Sequence, residues 1–264
     1  MADVNLAGIG VYSEQYTDWS QFCAVLRGED VEPQTKLAPE LIAPRERRRA
    51  PAFVKMAVEV MDQACKMADA DRGAVAQVFA SGMSDMQITD YMCRTLATMP
   101  ATVSPTKFHN SVHNASTGYW SIATGSHLPA NAVSGYSHSA SIALLEGVLQ
   151  AADEGVPVLV TVQEMAAPLP FQSVYASQHP LAVALLLTPA NGDGNAVARL
   201  SLEVEAGLAG HEISPTPDAI DVDDNFSREL LALLVAAASE DSSVVRLDLP
   251  GSASLSITVE AGNG

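Results

Sequence analysis

The chain has 264 residues and a formal net charge of −17, with 48% hydrophobic and only 17% charged residues. That composition suits a buried core, and it excludes the phosphate backbone of nucleic acid and anionic membrane surfaces as main partners. Cys23, Cys65 and Cys93 lack metal-like spacing, the N-terminus lacks a signal pattern, and no apolar run approaches about 18 residues, which together predict a cytoplasmic protein with free thiols.

Taken in order, the apolar, glycine-containing run Val4–Val11 predicts a strand. Its Gly8-x-Gly10 does not complete a dinucleotide loop, because Ser13 stands where the third glycine is needed. A helix is predicted over Asp18–Arg27 and a proline-rich loop over Val31–Pro44. The run P-R-E-R-R-R follows, with Arg45, Arg47, Arg48 and Arg49, either a solvated helix start or a docking site for an acidic partner. Apolar residues then keep helical spacing from about Arg49 to Asp69. Ala74–Ala80 reads as a strand, and Ser84 and Asp85 suit the cap of a helix over Met86–Thr98. Pro100–Pro105 reads as a break.

The stretch Ser104–Glu164 holds four of the six histidines. It predicts a short helix over Asn114–Thr124, a strand over Ala130–Gly135 and a helix over Ser139–Glu154 that is apolar nearly all round. A helix without a polar face belongs in the middle of a structure. Val156–Val162 is β-branched and apolar on both faces, as in a strand covered on both sides. Strands at Leu181–Leu187 and Val197–Ala206, a helix over Asn225–Ser239, and strands at Val244–Leu249 and Ala253–Val259 complete an α/β pattern with a mostly parallel or mixed sheet.

Two chemical readings arise from the residues of that stretch. Gly135-Tyr136-Ser137-His138-Ser139, between a strand and a helix, approaches the G-x-S-x-G elbow of serine hydrolases, with His211 available as the base. The final glycine is replaced by Ser139, and a serine here also serves simply as a helix cap. His109-x3-His113 has the spacing of two zinc ligands on a helix, but Pro105 lies just upstream and no third ligand is framed, so no metal is expected. No cofactor is implied.

A third reading comes by resemblance. The run S-P-T-K-F-H-N-S-V-H-N-A-S-T-G-Y-W-S-I-A-T-G from Ser104, the A-L-L-E-G helix and E-G-V-P-V-L-V after it resemble the N-terminal half of the β-ketoacyl synthase family. More narrowly they resemble the short chain-length-factor proteins of aryl-polyene-type pathways. The opening A-G-I-G-V-Y-S and the arginine run fit as well, and the likeness covers Val4–Leu187. It implies a thiolase-like half over residues 1–189, with a mixed five-stranded sheet and helices on both faces, and a small α+β extension over 190–264 packed on it.

Active relatives carry a cysteine at the N-terminus of the buried helix, where the helix end lowers the thiol pKa. The likeness places that position at Ser137, or at His138 after a slip of one. His179 and His211 match none of the family's motifs, and the residues after Gln163 are too few for a second, histidine-bearing half. The resemblance thus implies a non-catalytic subunit that pairs with a catalytic ketosynthase, as a heterodimer or a higher assembly, and meets an acyl carrier protein through that complex. The strand Ala130, Asn131, Ala132, Val133, Ser134 and Gly135 is the implied interface. Phe108, His113, Asn114, Tyr119, Trp120 and Tyr136 are candidates to line an acyl tunnel or to be ordinary core. Arg45, Arg47, Arg48 and Arg49 are candidates to greet the carrier. A serine hydrolase using Ser137 and a stand-alone acyl-binding protein remain as alternatives.

Overall fold

The protein is represented by a computed structural model, which describes residues 2–33, 36–175, 177–192, 195–207, 217–220, 222 and 224–262. The strands are β1 (Ala2–Ser13), β2 (Ala76–Ala80), β3 (Ala130–Val133), β4 (Val158–Glu164), β5 (Leu181–Pro189), β6 (Ala198–Ala206), β7 (Ser243–Leu249) and β8 (Ala253–Ala261). They form one sheet in the order β3-β2-β4-β5-β1-β6-β8-β7. β2 runs parallel to β3 and to β4, and the remaining neighbours are antiparallel, so the sheet is mixed.

The first five strands in that order form the expected five-stranded unit, but the sheet has eight strands rather than five. The reason lies at β1. Its second edge exposes unsatisfied backbone groups, and β6 pairs there from Ala2↔Leu202 to Leu6↔Ala198. β8 and β7 then continue outward from β6.

The helices are α1 (Trp19–Leu26), α2 (Pro44–Arg47), α3 (Ala52–Met67), α4 (Met86–Thr98), α5 (Pro105–His109), α6 (Ala115–Thr124), α7 (Ser139–Glu154) and α8 (Glu229–Ala237). α3 and α6 share one core with Phe79, Leu159, Ala184 and Leu186 of the sheet. α7 and α8 share the other with Val78, Val160, Leu185, Leu247 and Ile257. α7 touches β1, β2, β4 and β5 and also β7, and the Ser141 hydroxyl donates to the Asp248 carbonyl at 2.6 Å. This helix therefore packs on those strands, but it is not covered all round as its apolar circumference suggests, because Leu149 and Ala152 are exposed.

Three glycines set the spacing between layers. A Cβ on Gly8 would lie 2.1 Å from the Ala64 carbonyl oxygen, and one on Gly10 1.9 Å from that of Val60. These glycines sit mid-strand against α3, which accounts for the glycine pair by close backbone approach rather than a phosphate loop. On the other face a Cβ on Gly147 of α7 would meet Val160 Cγ2 at 2.1 Å.

Two local departures from the sequence expectation have clear causes. At the end of the expected break, in a stretch for which no element was expected, α5 forms because the Ser104 hydroxyl accepts from the Lys107 N–H and Pro105 occupies the first turn. α8 begins four residues later than expected, because Asn225 is committed elsewhere: its Nδ2 donates to the His179 carbonyl at 2.7 Å and its Oδ1 accepts from the Ser227 N–H at 2.8 Å.

Candidate functional site

The site is built at the edge strand β3 and at the junction from β3 into α7. Among the described residues β3 pairs only with β2, so its other side is open to a partner. The Gln77 N–H donates to the Pro129 carbonyl, and Gln77 pairs with Ala130. The alternation of a parallel ladder then turns the N–H and C=O of Ala130 and Ala132 away from β2, towards the free side. Ala130, Asn131 and Ser134 are exposed, and Ala132, Val133 and Gly135 are half-buried. His113 Nε2 lies 3.0 Å from the Val133 carbonyl oxygen and closes the end of the strand. The Ser134 hydroxyl donates to the Gly82 carbonyl at 3.0 Å.

Beyond Gly135 the backbone makes a single 3-10 turn over Tyr136–His138 before α7. Tyr136 holds φ +56, a left-handed conformation that a bulky residue rarely adopts. Its hydroxyl donates to the Val174 carbonyl, and its ring meets Phe226 at 4.9 Å and Tyr175 at 6.0 Å. Contacts from two separate segments, Val174–Tyr175 and Phe226, thus over-determine the strained residue. The Ser139 hydroxyl accepts from the Gly135 N–H and donates to the Tyr136 carbonyl, so it stitches the turn rather than capping α7.

Ser137 is half-buried in the 3-10 turn that precedes this helix. Among the described residues no histidine nitrogen hydrogen-bonds to its hydroxyl: His113 is bound to Val133, His179 pairs with Glu14 at the surface, and His138 Nδ1 is buried without a partner. His211 lies outside the described residues. A helix N-terminus alone does not bring a serine hydroxyl near neutral pH. The thiols are elsewhere. Cys93 is exposed on α4, Cys23 is half-buried on α1, and burial pushes the Cys65 thiol up to about 12. His109 ends α5 while His113 lies in the turn before α6, so their spacing does not fall within one helix.

A carboxylate that the sequence reading passed over organises the same end of the sheet. Glu164 closes β4 and is fully buried. It accepts from the Ser81 hydroxyl at 2.9 Å, from the Gly82 N–H at 2.5 Å and from the Tyr175 hydroxyl. The exits of β2 and β4 and the segment carrying Tyr175 are thereby tied to one group. The available signal was an acidic residue ending an otherwise apolar, fully buried strand.

Burial raises the Glu164 carboxyl to about 7 against the pull of its three donors. Glu229 is raised to about 7 as well, by burial and by the charge of Asp248. Both folded values lie above the unfolded one. The stability that the two acids confer when protonated is therefore complete below the unfolded carboxyl pKa and lost as pH rises through about 7. For Glu164 this amounts to about 3 kcal/mol. The melting temperature is expected to fall between pH 5 and pH 8, and Glu229→Gln is expected to flatten that fall. A melting temperature that rises over this interval would contradict the assignment.

On the α3 face an apolar groove of about 760 Å³ runs between α2, α5 and α6, lined in part by Ile42, Arg49, Val112, Asn114, Tyr119 and Ile122. Of the tunnel candidates, Asn114 and Tyr119 line it. Phe108 is exposed on the neighbouring α5. Trp120 is fully buried in the core shared with α3. Tyr136 belongs to the separate cluster with Tyr175 and Phe226. Arg45, Arg48 and Arg49 are exposed, whereas Arg47 is held to its own chain by bonds to the Ala38 and Pro39 carbonyls. No helix among the described residues is long and apolar enough to cross a membrane.

No curated protein matches the chain. In fold it is similar to the structure of the ketosynthase ApeO in complex with its chain length factor ApeC from Xenorhabdus doucetiae, at a TM-score of 0.70 and 19% identity, with 98% of this chain and 100% of that chain covered. The ishigamide ketosynthase/chain length factor matches at a TM-score of 0.76 and 14% identity, covering 99% of both chains. The AntDE:AntF type II PKS acyl-carrier protein in complex with its ketosynthase, bound to the hexaketide, matches at 0.76 and 11%, covering 98% of this chain and 99% of that one. These likenesses establish the thiolase-like fold. The family model for the β-ketoacyl synthase N-terminal domain matches residues 18–242, most of the sequence, and the chain therefore belongs to the β-ketoacyl synthase family.

Proposed function

We propose that this chain is a non-catalytic, chain-length-factor-like subunit that pairs through β3 with a catalytic β-ketoacyl synthase. The pair would elongate an acyl or polyene chain held on an acyl carrier protein. One observation carries the reading: Ser137, which the family likeness puts at the nucleophile position, has no histidine partner among the described residues, and it follows a strand whose outer backbone groups have no partner among them. The solved ketosynthase/chain length factor pairs of the same fold support it.

In this reading residues 1–189 form the ketosynthase-like unit, and residues 190–264 extend its sheet beyond β1. The small side chains of Ala130 and Ala132 allow a second backbone to approach closely. The groove that holds Asn114 and Tyr119 borders the same end of the molecule, and those two are the strongest of the tunnel candidates. Arg45, Arg48 and Arg49 face solvent, where they can meet an acidic carrier.

Co-expression with the cysteine-bearing ketosynthase of its own organism is expected to yield a stoichiometric complex that elongates acyl chains. A well-behaved monomer that ignores that enzyme would sink the reading. Labelling of the monomer by a fluorophosphonate, lost in Ser137→Ala, would point to a hydrolase instead. Lipid retained by the monomer through purification would point to an acyl-binding module.

A further inference from the structure

On the α7 side of β3 lies a second groove, of about 470 Å³, lined by Asn131, Glu146, Leu149, Gln150, Asp153 and Glu154. Three carboxylates face it, and among its lining residues there is no cation. Asn131 Nδ2 donates to Glu146 Oε1 at 3.1 Å, which joins the groove directly to the edge strand. Leu149 is 50% exposed, an apolar side chain left open beside the acids.

Gln150 supplies an independent observation. It is only 8% exposed, its Nε2 reaches Glu154 Oε2 at 3.4 Å, and its Oε1 has no hydrogen-bond partner among the described residues. A buried acceptor left without a donor is costly. Its natural complement is an N–H donor, and the adjacent carboxylates ask that the donor be cationic.

We infer that this groove receives an arginine or lysine side chain of the ketosynthase subunit that pairs with β3. The inference rests on the heterodimer reading above. Two strands paired antiparallel about a local two-fold axis keep each sheet face continuous, so the partner's helix on this face comes to lie beside α7. If the partner were a second copy of this chain, Glu146, Asp153 and Glu154 would meet their own counterparts. Like charges so placed repel. The acidic flank thus rejects self-pairing and selects a partner with a basic flank.

The test compares binding of the co-expressed ketosynthase by the wild type and by Asp153→Lys/Glu154→Lys. Both positions are exposed in the last turn of α7, where lysine suits the helix dipole, so the variant folds. Its affinity is expected to drop by about 30-fold, and wild-type affinity to weaken with added salt. Glu203→Lys, half that charge change and equal to that of Glu146→Lys, lies on exposed β6 surface and is expected to stay within about threefold. Glu146→Lys provides a second variant with the same expected loss. Mixing wild type with Asp153→Lys/Glu154→Lys is further expected to favour mixed pairs over either homodimer.

If the double variant binds as the wild type does and salt has no effect, the groove assignment is overturned while the heterodimer stands. Self-dimerisation of the wild type at low salt overturns it as well. If the wild type does not bind the ketosynthase at all, the heterodimer reading fails and carries this inference with it.

Discussion

Ala132→Pro is expected to abolish assembly with a catalytic ketosynthase while leaving the monomer folded. The N–H of Ala132 faces the free side of the sheet, because the ladder to β2 is made by Asn131 and Val133 on either side of it. Proline there removes no hydrogen bond made among the described residues. It does remove a donor that a partner strand would need, and its ring obstructs the approach of a second backbone. Proline on an edge strand is a common natural block against strand addition. Circular dichroism and a melting temperature near that of the wild type would show an intact fold, and co-purification should fall to background. A variant that still assembles would move the interface away from β3.

Gly10→Val is expected to leave no soluble folded protein, and Gly10→Ala to lower the urea midpoint far more than an alanine at an unobstructed glycine. The Gly10 Cβ would sit 1.9 Å from the Val60 carbonyl oxygen and 3.0 Å from Val60 Cα. Both are backbone atoms of α3, which cannot yield by changing a rotamer. Relief requires lifting the helix off β1 and opening the core that holds Phe53, Met56, Val60 and Ala64. Overpacking a core with movable side chains already costs about 1–3 kcal/mol, and total stability is only about 5–15 kcal/mol. Gly155→Ala is the control. Gly155 has φ +66 and open space around it, so alanine there meets only the left-handed backbone penalty of about 1 kcal/mol. Equal losses at the two sites would show that the spacing between β1 and α3 is not what holds the layers.

Much of the architecture is legible in the residues. α7 spans Ser139–Glu154 and α4 spans Met86–Thr98, both as the sequence predicts, because apolar periodicity, Asp85 and Gly155 mark their ends without outside help. The apolar run of β4 reads directly as a strand covered on both faces, and all seven of its residues are buried. The family likeness rests on the run from Ser104 to Gly125, which the family match includes.

The eight-stranded sheet was not legible. Nothing local in Ala198–Ala206 says which strand will be its neighbour, since pairing at the open edge of β1 is settled only when the chain has folded back on itself. The candidate site divides in the same way. That β3 is small and weakly apolar can be read from its residues, but its position at the end of the sheet cannot. Glu164 looks like the polar end of a strand until Ser81, Gly82 and Tyr175 are brought around it. The six proposed tunnel residues also scatter: Trp120 is core, Tyr136 braces the turn before α7, and only Asn114 and Tyr119 line the apolar groove.

The sequence by itself determined the α/β class, the helix α7 and the family. Those are matters of periodicity and residue identity, encoded within short stretches. Only the tertiary structure decided that β3 is an edge, that Gly8 and Gly10 serve helix packing, and that Gln150 and three carboxylates share one groove beside that edge. Each of these depends on contacts between residues far apart in the chain, which no local pattern records.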